Sequence, residues 1–209
     1  MIGIYNYTVI LTYVGMVVSF VGISYAIDGN TKIAVFCLLI AGVCDMFDGA
    51  VASMRERTKR EKRFGIQIDS LSDLISFGVL PVIIACREVP HNRLVATASG
   101  VYLLCALIRL AYFNVDEEER QEQTDAPREF YYGLPVTTAA VILPFLYFLA
   151  HRTRTPMRFV WPGSLFVVAI AFISPFHIRK PHFLMRIRRN TQDAATRDAD
   201  DPAGDGSDR

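Results

Sequence analysis

The chain has 209 residues, 52% of them hydrophobic, with a mean hydropathy of +0.27 and a formal net charge of +1. That is too apolar for an ordinary soluble domain. Four cysteines without a CxxC spacing exclude a disulfide framework or a cysteine zinc site, and no nucleic-acid-binding module is visible.

The apolar residues are clumped along the chain. Residues 1–27 carry no charged side chain, and nearly uncharged runs follow at 33–54, 74–86, 94–115, 133–150 and 159–176. A helix crossing the ~30 Å hydrocarbon core needs about 20 residues, so several of these runs are long enough to span. The first has no basic n-region and no small-residue cleavage pattern, and it reads as a membrane helix rather than a cleaved signal. The second holds Asp45 and Asp48 near its end. The third reaches spanning length only if its helix begins near Gly65 and takes Asp69 and Asp73 inside it. The fourth contains Arg109, the one cation deep in a predicted span, with Asn114 close to its end. The acidic connector "DEEERQEQTDAPRE" (116–129) reads as a cytoplasmic linker or a solvated helix end. Trp161 stands near one end of the sixth run, where an interfacial anchor would. Cys37, Cys44, Cys86 and Cys105 all fall within the runs and read as packing residues. The expected architecture is an all-α membrane protein with six transmembrane helices in residues 1–190. A disordered acidic tail with six Asp follows at 191–209.

Six spans put both termini on one side. The connectors on that side (54–64, 116–132 and 177–190) hold six, two and five Lys or Arg, against six in all on the other. The excess predicts that the 54–64 loop and both termini are cytoplasmic, although "HRTRTPMR" (151–158) puts three arginines on the opposite side. The basic residues of 177–189 suit anionic lipid headgroups.

The carboxylates are the chemical signal. Asp45 and Asp48 are three residues apart and share a helical face, as do Asp69 and Asp73 at a spacing of four. The loop between them is short, so the two helices form an antiparallel hairpin in which the pairs face each other. Four carboxylates together repel, and divalent cations resolve that repulsion; an all-oxygen donor set suits Mg²⁺ or Mn²⁺. Gly49 and Ala52 lie one and two turns beyond Asp45 and leave room against the backbone. The loop adds Arg55, Arg57, Lys59, Arg60, Lys62 and Arg63, a cationic rim fit for phosphates. Together these point to phosphoryl transfer on a lipid. Isolated intramembrane aspartates also occur in transporters and proton relays, and basic loops also mark the cytoplasmic side. Neither alternative accounts for two pairs, two small residues and Gly65 at fixed spacing.

The pattern D45-x2-D48-G49-x2-A52, then G65-x3-D69-x3-D73, resembles the signature of the CDP-alcohol phosphotransferase family. The resemblance implies six transmembrane helices, a homodimer, a cytoplasmic active site, and reaction of a CDP-activated lipid with an alcohol to release CMP. It implies Asp45, Asp48 and Asp69 as ligands of a two-metal site, and Asp73 as both ligand and general base. Two departures stand out. Ser53 occupies the position where the family usually has Arg, and the spacing on to Gly65 is three residues longer than usual. Arg55 or Arg57 is then the expected phosphate contact, with Thr58 as a hydroxyl partner. Further stretches, "FGIQIDSLSDLISFGVLP" (64–81), "IRLAYFNV" (108–115) and "YYGLPVTTAA" (131–140), resemble the bacterial membrane-type phosphatidylserine synthases of that family. They imply CDP-diacylglycerol and L-serine as substrates, with Arg109 and Asn114 as candidates for binding the acceptor. For Arg109, a structural ion pair with the aspartates is an equal alternative. Glycerol-3-phosphate or inositol phosphate as acceptor, an archaeal-type ether-lipid donor, and a cation transporter remain the competing readings.

Overall fold

The computed structural model describes residues 7–52, 58–123, 130–132, 134–175 and 177–179. Its body is helical: α1 (Tyr7–Ile27), α2 (Thr31–Ala52), α3 (Lys59–Asp73), a π-helical segment (Leu74–Val79), α4 (Leu80–Glu88), α5 (Arg93–Gln123), α6 (Ala139–Thr153) and α7 (Met157–Ile173). α3, the π segment and α4 run on without a break, so the described residues form six rods. Four of them, Val9–Ile27, Lys59–Glu88, Arg93–Glu119 and Val136–Thr153, are long and apolar enough to cross a membrane, while Met157–Ile173 is apolar but shorter. The remaining rod, α2, carries Lys32, Asp45 and Asp48. The six-helix, all-α expectation stands.

Local chemistry sets the boundaries. Gly29, at φ +89°, turns the chain sharply between α1 and α2. α3 begins six residues earlier than Gly65 because Thr58 caps it: its hydroxyl accepts from the Glu61 N–H at 3.2 Å, and its own N–H donates to the Glu61 carboxylate at 2.8 Å. α5 continues through the acidic "DEEERQEQ", since Glu, Gln and Arg are good helix formers. At 31 residues it is about 46 Å long, more than the hydrocarbon core needs.

Large apolar side chains lie on the outside of the bundle as well as in its core. Phe20, Leu94, Val141, Phe145, Phe159 and Val167 are 63–71% exposed, as side chains facing lipid are. The interior is built from Leu38, Phe77, Leu80, Ile84, Tyr102, Leu143, Leu165 and Phe172. Two glycines permit close helix approach: a Cβ on Gly22 would lie 2.7 Å from that of Cys37, and one on Gly42 would lie 2.5 Å from that of Ala140. Cys37 and Cys105 are buried and all four cysteines are free, although Cys86 is exposed. Trp161 corrects the sequence reading. It is only 2% exposed, with its ring 6.3 Å from that of Tyr147, and it is a core residue rather than an interfacial anchor.

The two ends of the bundle differ. At one, Thr31 and Tyr147 both donate to the Glu88 carboxylate, tying α2, α4 and α6 together. At the other, 14 residues or about 21 Å along α2, lie the aspartates. Two three-residue strands, β1 (Phe130–Tyr132) and β2 (His177–Arg179), pair antiparallel with Tyr131 opposite Ile178. They join the two connectors that six spans require to share a side. The tail at 191–209 lies outside the described residues.

Candidate active site

α2 and α3 bring the predicted carboxylates together. One oxygen from each of Asp45, Asp48 and Asp69 lies within 4.8 Å of the others. The carboxyls of Asp45 and Asp73 are within hydrogen-bonding reach, as are those of Asp48 and Asp69. The i, i+3 and i, i+4 spacings therefore do what helical geometry requires, pointing two residues from each helix into one space. The set fits a divalent cation. Every donor is a carboxylate oxygen, the chemistry that Mg²⁺ and Mn²⁺ favour. Among the described residues Asp69 Oδ1 is buried with no hydrogen-bond partner, a costly state that a bound cation relieves.

α1 forms a third wall that the sequence reading missed. Thr12 Oγ1 donates to Asp48 Oδ2 at 3.2 Å, and the Thr12 carbonyl accepts from Ser72 Oγ at 3.4 Å. One turn or more deeper, the hydroxyls of Ser19 and Ser76 lie 2.7 Å apart. Thr12, Cys44, Asp45, Ser72, Asp73 and Ser76 line a cavity of about 10 Å³, the size of a single water. No motif flags these hydroxyls. The only signal in the sequence is the 7-residue spacing of Thr12 and Ser19, which puts them on one face of an uncharged span.

Directly after Asp73 the helix widens into the π segment, a feature that recurs at functional sites. Pro81 has no N–H to offer the Phe77 carbonyl, four residues back. The buried Tyr102 hydroxyl of α5 supplies that missing donor at 2.5 Å. The segment below the site is therefore pinned from a neighbouring helix.

The other predicted residues are distributed as follows. Gly49 and Ala52 belong to the last turn of α2, and Gly65 to the second turn of α3. Ser53, Arg55 and Arg57 lie outside the described residues. The Thr58 hydroxyl is engaged in its capping box and also donates to Glu61 at 3.0 Å; the T-x-x-E spacing was the signal for that role. Arg109 is buried, and its Nε donates to the Leu134 carbonyl at 3.2 Å, which ties α5 to the segment leading into α6. Asn114 Oδ1 accepts from Ser70 Oγ at 2.6 Å, and this joins it to the residue beside Asp69. Beyond this contact the basic start of α3 and the acidic end of α5 run on toward the same side. None of Lys62, Arg63, Asp116 and Glu117 is without a partner.

A lipid-facing helical bundle with a cluster of carboxylates near one end defines an integral membrane protein with a candidate metal site. The chain matches the CDP-alcohol phosphatidyltransferase family over residues 5–174 and belongs to that family. It is 28% identical over 187 residues to a CDP-diacylglycerol–serine O-phosphatidyltransferase of Helicobacter pylori, covering 86% of this chain and 73% of the relative. It is 31% identical over 156 residues to an archaetidylserine synthase of Methanothermobacter thermautotrophicus, covering 74% and 61%. It is also similar to the CDP-diacylglycerol–serine O-phosphatidyltransferase of Saccharomyces cerevisiae, at 36% over 112 residues, 52% of this chain and 40% of the relative.

Proposed function

We propose that the protein transfers the phosphatidyl group of CDP-diacylglycerol to L-serine, giving phosphatidylserine and CMP. The observation that carries this reading is the convergence of Asp45, Asp48 and Asp69 within 4.8 Å on the family's signature positions. Serine as the acceptor is supported by relatives from a bacterium, an archaeon and a yeast whose names specify serine products or substrates.

Asp45, Asp48, Asp69 and Asp73 would hold two divalent ions, Mg²⁺ or Mn²⁺. When bound, these supply neutralisation of the donor's diphosphate and of the departing CMP. The chain's own residues do the rest. Asp73 takes the proton from the serine hydroxyl, and the oxygen so exposed attacks the phosphorus that carries the diacylglycerol. Gly49, Ala52 and Gly65 leave room for the donor, and Arg55 or Arg57, near Ser53 and Thr58, grips its phosphates. Arg109 and Asn114 orient the acceptor. The enzyme works as a homodimer in the plasma membrane, with its active site and both termini cytoplasmic.

An archaeal-type ether-lipid donor is the second reading, favoured by the archaetidylserine synthase relative. The test is CMP release by purified protein in detergent, with each lipid donor and with serine, glycerol-3-phosphate or inositol phosphate as acceptor. Serine-dependent release from CDP-diacylglycerol is expected. Release with another acceptor alone would reassign the substrate. No release with any pair, together with metal uptake into vesicles, would replace the enzyme with a cation transporter.

A further inference from the structure

We propose that Thr12 is a positioning residue of the metal centre, its hydroxyl holding the Asp48 carboxylate in its ligating orientation. The inference rests on the metal-dependent reading above and extends it to a helix outside the aspartate signature.

A threonine in an apolar helix ordinarily turns its hydroxyl back to a carbonyl of its own helix one turn earlier, the cheapest partner within reach. Thr153 and Ser19 do this in the same protein, at 2.9 Å each, to Leu149 and Gly15. Thr12 does not. Its Oγ1 crosses to α2 and donates to Asp48 Oδ2 at 3.2 Å. A hydroxyl donor on one carboxylate oxygen restricts rotation of the group about its Cβ–Cγ bond. It fixes the orientation in which the group presents its oxygens to an ion.

Thr12 is itself held in place. Its carbonyl accepts from Ser72 Oγ, and Ser72 is the residue before Asp73 on α3. One residue of α1 thus touches both helices that carry the aspartates, and it also lines the water-sized cavity beside Asp45 and Asp73. It is 8% exposed, so solvent does not compete for the hydroxyl. Residues that orient a ligating carboxylate in this way typically cost 10–100-fold in metal affinity or activity when removed.

The experiment is Mn²⁺ binding to the full-length protein in detergent without substrate, read as free Mn²⁺ by electron paramagnetic resonance. The wild type is compared with Thr12→Val, Thr12→Ala and Thr12→Ser. Both variants lacking the hydroxyl should bind Mn²⁺ at least tenfold more weakly, and Thr12→Ser should stay within about threefold of wild type. In the CMP-release assay, the Mn²⁺ concentration for half-maximal rate should rise in parallel, while the rate at saturating Mn²⁺ changes much less. A residue that merely packs would lower thermal stability without moving Mn²⁺ affinity. Thr12→Ala gives the result should Thr12→Val fail to fold. Wild-type affinity in folded Thr12→Val or Thr12→Ala overturns the proposal, as does a Thr12→Ser variant as weak as either. A wild-type protein that binds no Mn²⁺ would sink the metal reading itself, and the proposal with it.

Discussion

Replacing Asp73 by Asn separates proton transfer from metal holding. Asn keeps the volume and one carbonyl oxygen of Asp but cannot take a proton at neutral pH. The three carboxylates whose oxygens lie within 4.8 Å of one another, Asp45, Asp48 and Asp69, are untouched by the change. Asp73, proposed as a ligand as well as the base, lies beside Asp45, and Asn keeps one oxygen there for the ion. A positioned general base contributes typically 10²–10⁴-fold. Asp73→Asn should therefore bind CDP-diacylglycerol with divalent ion much as the wild type does, and transfer the phosphatidyl group at least a hundredfold more slowly at saturating serine. Equilibrium binding of the labelled donor and single-turnover CMP release read the two quantities separately. Near-normal turnover would refute the assignment of the base. Loss of donor binding would make Asp73 chiefly a metal ligand.

Three other outcomes are expected. Alanine at Asp45, Asp48 or Asp69 should abolish CMP release, and EDTA should silence the wild type until excess Mg²⁺ or Mn²⁺ is restored; full turnover in EDTA would end the two-metal reading. Removing Arg55 or Arg57 should weaken donor affinity by about 1.5–3 kcal/mol, tenfold to a hundredfold, with little change in the KM for serine; wild-type behaviour of both alanine variants would leave the loop charges as topology signals only. Gly42→Ala would force its new methyl against Ala140, 2.5 Å away, and should lower stability in detergent by about 1–3 kcal/mol. Ala140→Gly in the same chain should restore much of that loss in a thermal-shift measurement.

The carboxylate site was legible because it depends on spacing within two helices, and helical geometry turns spacing into direction. Asp45 with Asp48 and Asp69 with Asp73 needed only the assumption that their segments are helical and adjacent. The ends of those helices were less legible. The start of α3 lies before Gly65 because Thr58, set among cations that suggest a phosphate contact, forms a capping box with Glu61 instead. The acidic connector stayed open between a linker and a solvated helix end, because hydropathy reports where a helix leaves lipid, not where it ends; α5 runs on to Gln123. Trp161 was misplaced for a related reason. Proximity to the end of an apolar run does not say which face of the helix a residue occupies, and this one faces Tyr147. Thr12 could not have been singled out, because its role depends on which helix lies opposite, a tertiary fact with no local pattern.

The π segment governs more than local hydrogen bonding. A wider turn takes in an extra residue, and each residue advances an α-helix by about 100°. Residues 74–79 thus act as a phase shifter between the two halves of a single rod. Above them Asp69 and Asp73 point at α2, and below them Leu80 and Ile84 point into the core. Narrowing this stretch to α-helical turns with all six of its residues retained would make the rod a continuous α-helix. The two halves would then turn by roughly 100° relative to each other. Either the aspartates would swing away from their partners, or the buried face would rotate toward lipid. It is the wider turn that keeps the aspartates on α2 and the buried face in the core at the same time.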